Sequence, residues 1–114
     1  MDETVEVPAY IGSDLRLRLG GVQAVDDDGE TEYQNAGTCT YEIKTKAGMV
    51  VTDETTTASG TLAYHAASDG DYILVIDKAV TLLLTYLRRY DLFVDFSQDG
   101  NDGRFHLQIW GAYQ

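Results

Sequence analysis

Apolar and polar residues alternate with a period of two along several short stretches of this 114-residue chain. The stretch 15–19 reads LRLRL, 39–44 reads CTYEIK, 90–96 reads YDLFVDF and 105–109 reads FHLQI. Successive side chains of a strand point to opposite faces, so each stretch predicts a strand with one face toward a core. The stretch 72–76, YILVI, is apolar on both faces and predicts a central strand or one that meets a partner.

Turn residues separate these stretches. Asp69-Gly70 precedes the apolar strand, and the stretch 99–103, DGNDG, separates the last two alternating stretches. Gly, Asn and Asp tolerate the backbone conformations of tight turns, so the stretch 90–109 predicts a terminal β-hairpin.

The connection between the predicted strands 72–76 and 90–96 is rich in leucine. The stretch 77–89 fits either a short helix or an extended corner, and we favour a corner with one helical turn. Tyr90 stands at the start of the penultimate strand, where its hydroxyl could bond to the backbone of the preceding connection as in a tyrosine corner. A plain strand tyrosine is the alternative.

Six to eight short strands with a turn about every ten residues predict an all-β fold, an Ig-like antiparallel β-sandwich of about seven strands. A barrel is the alternative. The length fits a single domain over residues 1–114.

The formal net charge of −11 disfavours binding to nucleic acid or to an anionic membrane, because both carry negative charge. An acidic surface suits solubility and basic protein partners. The N-terminal stretch MDETVEVPAY lacks the basic and apolar regions of a signal peptide, so we expect synthesis in the cytoplasm.

No pattern of nucleophile and base predicts catalysis, and no glycine-rich motif predicts a nucleotide or other cofactor. His65 and His106 are the two histidines, and each is expected on a strand face. Cys39, the single cysteine, alternates with inward positions and is expected to be a small buried apolar residue.

Calcium is the one metal for which the sequence offers ligands, since calcium binds several oxygens from one loop. The candidates are Asp26, Asp28, Asp99 and Asp102. Neither loop has EF-hand spacing, and successive aspartates on an extended loop point apart, so the expectation is that no metal is bound.

Large apolar residues occupy several positions predicted to face outward. If they cluster on one sheet face they predict an interface, because aromatic anchors dominate binding energy; the alternative is a second layer of core under a loop. The interface candidates are Ile73, Val75, Phe93, Trp110 and Tyr113.

The second half of the chain resembles a known family. Asp69-Gly70-Asp71-Tyr72, the stretch 89–94 (RYDLFV) and the stretch 99–104 (DGNDGR) follow in an order similar to small Ig-like sandwich proteins of tailed-phage and prophage virion modules. These include relatives of the N-terminal sandwich of baseplate and receptor-binding proteins. The leucine-rich connection departs from the short link expected there.

The resemblance implies a non-enzymatic structural protein of a virion: a capsid decoration, a head–tail connector or collar piece, or a tail or baseplate accessory. It implies major capsid, connector or tail proteins as partners, and a homo-oligomer is the default for such modules. Two alternatives stay open. One is a carbohydrate- or receptor-binding module that uses Trp110, Tyr113 and Tyr33, and the other is a small acidic inhibitor or immunity-type protein.

Overall fold

A computed structural model describes residues 5–25, 28–35, 37–53, 55–98 and 101–113, and these residues form an all-β structure with one short helix. The helix, α1, comprises Lys78–Thr81. The described strands are β1 (Glu6–Tyr10), β2 (Leu15–Leu19), β3 (Gln23–Val25), β4 (Thr31–Tyr33), β5 (Thr38–Lys44), β6 (Ser59–Thr61), β7 (Ala63–Tyr64), β8 (Tyr72–Ile76), β9 (Arg89–Gln98) and β10 (Asn101–Ala112).

The strands form a five-stranded sheet of order β1-β10-β9-β5-β6, a three-stranded sheet of order β2-β8-β7 and the small hairpin β3-β4. The all-β prediction is confirmed, and β8 is central in its sheet as expected. About seven strands were expected, but the described residues form ten, and four of these strands have only two or three residues.

The prediction of a wholly antiparallel sandwich is wrong for one pair. β1 runs parallel to β10, with Val7 beside Ile109 and Ala9 beside Gly111. The first and last strands are joined through the whole rest of the chain, so no short turn forces them to run in opposite directions.

The core lies between the two larger sheets and is filled by the residues that alternate inward. Ile43, Leu74, Ile76, Leu92 and Val94 are each fully buried. The predicted inward set therefore closes the two sheets over a common interior, as in packed β-layers.

The predicted terminal hairpin is confirmed by the antiparallel pairing of β9 with β10 from Gln98–Asn101 to Arg89–Trp110. Phe105 was expected in the core, and it does face the same side as its partner Val94. It is nevertheless 38% exposed, because it lines an open groove between β2 and β10.

Gln34 is a buried polar residue at the end of β4. Its backbone N–H donates to the Val22 carbonyl (2.9 Å), and its carbonyl accepts from the Tyr72 hydroxyl (2.5 Å). Neither polar atom of its side-chain amide has a hydrogen-bond partner among the described residues.

The connection from β8 to β9 contains the expected single helical turn. Asp77 caps α1 by accepting from the Ala79 N–H (2.8 Å), and Thr81 ties the helix to the turn after β1 by donating to the Ser13 carbonyl (2.9 Å). The Tyr90 hydroxyl accepts from the Thr85 N–H (2.8 Å), which confirms the predicted bond to the preceding connection. In the described ranges no helix has the length and apolar character of a membrane span.

Two ends of the sandwich follow from this topology. At the corner end, β8 leads through α1 to β9, and β10 finishes. At the hairpin end, β9 leads to β10, β2 finishes, and the β3-β4 hairpin projects between β2 and β5. The twelve residues of β10 span roughly 40 Å, so the two ends are well separated.

Candidate docking surface

The five interface candidates from the sequence lie in three different places. Ile73 and Val75 lie on the outer face of the three-stranded sheet, opposite Arg18 and Arg16 of β2. The other three are Phe93 and Trp110, on the outer face of the five-stranded sheet, and Tyr113, just after β10. The structure does not gather the five side chains into a single patch.

Phe93 is already covered by side chains of its own sheet. The His106 ring stacks on it at 4.8 Å, and the Arg104 guanidinium and Lys44 Nζ lie 4.6 and 5.8 Å from its centroid. Cation–π contacts of this kind stabilise exposed sites by about 0.5–1 kcal/mol each. The Phe93 ring therefore has packing partners without any other protein.

Acidic side chains hold the cations of this face in place. Asp95 Oδ1 accepts from Arg104 Nε (2.6 Å), and this bond raises the pKa of Arg104. Asp91 Oδ1 lies 2.7 Å from His106 Nε2. His106 thus lies on a strand face as expected and belongs to a surface network around Phe93.

His65 was expected on a strand face, and this prediction is wrong. β7 ends at Tyr64, and His65 opens the turn to β8, where its N–H donates to the Asp71 carbonyl (2.8 Å) and its carbonyl accepts from Ser68 Oγ (2.5 Å). His65 belongs to this turn because the segment that contains Asp69-Gly70 connects β7 to β8.

Cys39 is buried as predicted, at 2% exposure. Desolvation, and secondarily the charge of Asp95, raise the pKa of its thiol to about 11. The thiolate that a nucleophile or metal ligand requires is therefore scarce at neutral pH.

Two of the four calcium candidates lie among the described residues. Asp26 and Asp99 lie outside the described residues, Asp28 is exposed near the β3-β4 turn, and Asp102 belongs to β10. Within the described part of the chain, no three His, Cys, Asp or Glu side chains converge in a way that could hold a metal ion.

The largest concentration of exposed apolar side chains lies at the corner end, where the sequence had indicated only Trp110 and Tyr113. Ten large apolar residues are exposed in the described ranges, and six of them are at this end: Met49, in the turn after β5, and five at the ends of β1 and β10 and in the β8-β9 connection. We call these five the corner surface: Tyr10, Leu82, Tyr86, Leu87 and Tyr113.

Backbone contacts hold the corner surface together. Tyr86 bridges to Gly111 and Tyr10 pairs with Ala112, so both flank the end of β10. The Tyr86 and Tyr113 rings stack at 4.7 Å. Leu82 lies on the same end, next to Gly12.

Leu87 is the most constrained member. Its φ of 64° is in the left-handed region, which costs a residue other than glycine about 1–3 kcal/mol. Its N–H donates to the Gly111 carbonyl (2.8 Å), while its side chain is 62% exposed and borders a groove of about 250 Å³ with Trp110 and Arg89. The fold therefore holds an apolar side chain in solvent in a strained conformation.

The sequence contained a signal for this surface in the leucines of the 77–89 connection. Leu84 is buried and Leu83 partly buried, whereas Leu82 and Leu87 are each 62% exposed. Alternation does not reveal which leucines face outward, because the chain changes from helical to extended structure within this segment.

Basic and acidic residues both lie around the corner surface, and Asp14 and Asp77, beside α1, are among the acidic ones. The basic residues at this end include Lys46, Lys78, Arg88 and Arg89. Of these four, only Arg89 has an ion pair within the described part of the chain, a 3.5 Å contact with Glu6. An apolar centre with a charged rim that contains arginine is the usual anatomy of a protein-binding surface.

No family model, curated protein or solved structure matches this chain.

Proposed function

We propose that this chain is a non-enzymatic docking module that binds another protein through its corner surface. The observation that carries the proposal is the clustering of Leu82, Tyr86, Leu87 and Tyr113, all roughly half or more exposed, at one end of the sandwich. Single exposed apolar residues are ordinary, whereas several at one end of a molecule favour an interaction site.

The geometry of the aromatic pair favours tight binding. The Tyr86 and Tyr113 rings stack on each other at 4.7 Å, so they are ordered before any partner arrives. A preorganised anchor loses little conformational entropy on binding. Complete burial of one exposed leucine stabilises a complex by roughly 1.5–3 kcal/mol before the costs of association.

We further propose that the sandwich is Ig-like. The order β2-β8-β7 opposite β10-β9-β5-β6 corresponds to an Ig-like pair of sheets with one added strand. Tyr90 lies at the start of β9 with its hydroxyl bonded to Thr85, at the place of a tyrosine corner. The chain departs from antibody domains in having a single cysteine and in carrying its one tryptophan on the last strand.

The resemblance of the second half to virion sandwich proteins suggests where docking takes place. We propose a structural component of a tailed-phage particle, with capsid, connector or tail proteins as partners. A module that docks through one end and exposes an acidic remainder suits a position on a particle surface.

The test is particle incorporation of the double variant Leu82→Ser/Leu87→Ser, measured by mass spectrometry of purified particles. Both side chains are exposed, so the variant should fold, and circular dichroism verifies this. We expect at least about tenfold less incorporation, the equivalent of about 1.4 kcal/mol. Val5→Ser is the control, since Val5 is also exposed but lies beside Arg18 and Phe105, toward the hairpin end. Equal incorporation of the double variant and the wild type would overturn the proposal.

A further inference from the structure

The corner surface contains a β-turn in which a leucine occupies a position that glycine normally takes. The turn spans residues 85–88 and is closed by the Arg88 N–H, which donates to the Thr85 carbonyl (3.1 Å). Leu87 is its third residue and has a φ of 64°. Glycine or asparagine usually supplies a positive φ here, because the Cβ of other residues comes too close to the following carbonyl oxygen. The leucine side chain therefore destabilises its own turn.

Contacts with the end of β10 prevent this turn from relaxing. The Leu87 N–H donates to the Gly111 carbonyl (2.8 Å), and the Gly111 N–H donates to the Arg88 carbonyl (3.2 Å). The two segments lie so close that a Cβ at Gly111 would collide with the Thr85 carbonyl oxygen. The strained backbone of Leu87 persists because its surroundings fix it on both sides.

Packing inside the molecule does not offset the strain, since the Leu87 side chain is 62% exposed. Leu82, at the same end, is exposed to the same extent but has an ordinary φ of −63°. Leu87 thus combines an unfavourable backbone with an unfavourable exposure of apolar surface. Strained residues of this kind are characteristic of sites that contact another molecule.

We propose that Leu87 is the anchor of the docking surface, the residue that inserts into an apolar pocket of the partner protein and determines which partner binds. This inference rests on the proposed docking function and names the residue that gives it specificity. The fixed turn presents the side chain from one backbone conformation, so little backbone freedom is lost on binding. The neighbouring Tyr86 ring is already stacked on Tyr113, so the surroundings of the anchor are ordered as well. A few such residues usually contribute most of the binding energy of an interface.

The first measurement tests the strain. Leu87→Ala removes the apolar side chain and keeps a Cβ in the strained conformation, whereas Leu87→Gly removes both. We expect the Tm of Leu87→Gly to be about 4–8 °C above that of Leu87→Ala. Equal Tm values for the two variants would overturn the inference, because Leu87 would then be held at no cost.

Ala67→Gly is the matched control for this measurement. Ala67 is the third residue of the turn 65–68, which the Ser68 N–H closes on the His65 carbonyl (3.3 Å), and it also has a φ of 64°. It lies away from the corner surface. Ala67→Gly should therefore raise Tm by a similar amount and leave docking unchanged.

The second measurement is incorporation of the same variants into particles, quantified by mass spectrometry. Leu87→Gly should lower incorporation at least about tenfold although it is more stable than Leu87→Ala, because the anchor is missing. Leu82→Ala removes an equally exposed leucine and should lower incorporation less than about threefold. Leu87→Met retains a long apolar side chain and should be incorporated almost as well as the wild type. A purely structural role of Leu87 predicts normal incorporation of the relaxed glycine variant.

Normal incorporation of Leu87→Gly would overturn the inference, as would equal losses for Leu87→Gly and Leu82→Ala. If the double variant Leu82→Ser/Leu87→Ser is still excluded from particles in that case, the docking function stands and Leu87 is not its anchor. If the double variant is also incorporated normally, the proposed function fails together with the inference.

Discussion

Replacement of Gln34 by methionine should stabilise this protein, although it removes a polar residue. Both polar atoms of the Gln34 amide are buried and lack a hydrogen-bond partner among the described residues. A buried donor or acceptor left unsatisfied costs about 1–3 kcal/mol. Methionine has nearly the same length and shape and carries no group that needs a partner, and swaps of similar volume cost less than about 1.5 kcal/mol.

The expected net gain for Gln34→Met is about 1–2 kcal/mol in the free energy of unfolding. For a chain of this size it corresponds to an increase in Tm of roughly 4–8 °C. Urea denaturation followed by circular dichroism measures the change, provided that the m-value is the same for both proteins. The backbone bonds of Gln34 to Val22 and Tyr72 are unaffected, so the experiment isolates the amide.

Gln23→Met is the matched control, because Gln23 lies on the partner strand of the same hairpin and is exposed. We expect its stability to change by less than about 0.5 kcal/mol. A loss of more than about 1 kcal/mol for Gln34→Met, with a neutral control, would refute the reasoning. It would show that the amide makes polar contacts in solution that offset its burial.

Three further predictions concern the corner, a turn and the thiol. Tyr90→Phe should destabilise the fold by about 1–2 kcal/mol in urea denaturation, because the Thr85 N–H loses its acceptor; an unchanged midpoint would argue against the bond. Gly70→Ala should lower Tm more than Gly29→Ala does, although both glycines have positive φ. A Cβ at Gly70 would lie 2.5 Å from the Val22 carbonyl oxygen, whereas a Cβ at Gly29 would meet no atom within 4 Å. Equal losses of Tm would contradict the clash at Gly70. Cys39 should resist alkylation by iodoacetamide at pH 8 in the native protein and react after unfolding. Its pKa is raised to about 11, so the reactive thiolate forms only as the pH approaches that value. Rapid labelling of the native protein would be inconsistent with the burial of Cys39.

The sequence alone determined the elements whose signal is local. The alternation in 15–19, 39–44 and 90–96 fixed which residues face the core, because side chains of a strand alternate between its faces whatever it pairs with. The turn residues around 99–103 indicated the terminal hairpin, and the single helical turn after Asp77 was expected from its neighbours in the chain.

Only the tertiary structure decided the features that depend on distant segments. The parallel pairing of β1 with β10 is set by packing between the two ends of the chain, which no local pattern encodes. The sequence showed leucines in the 77–89 connection, but whether each is buried depends on which other element covers it. Leu84 is covered, whereas Leu82 and Leu87 face solvent at the same end of the molecule as Tyr86 and Tyr113. The candidate docking surface is therefore visible only in the folded chain.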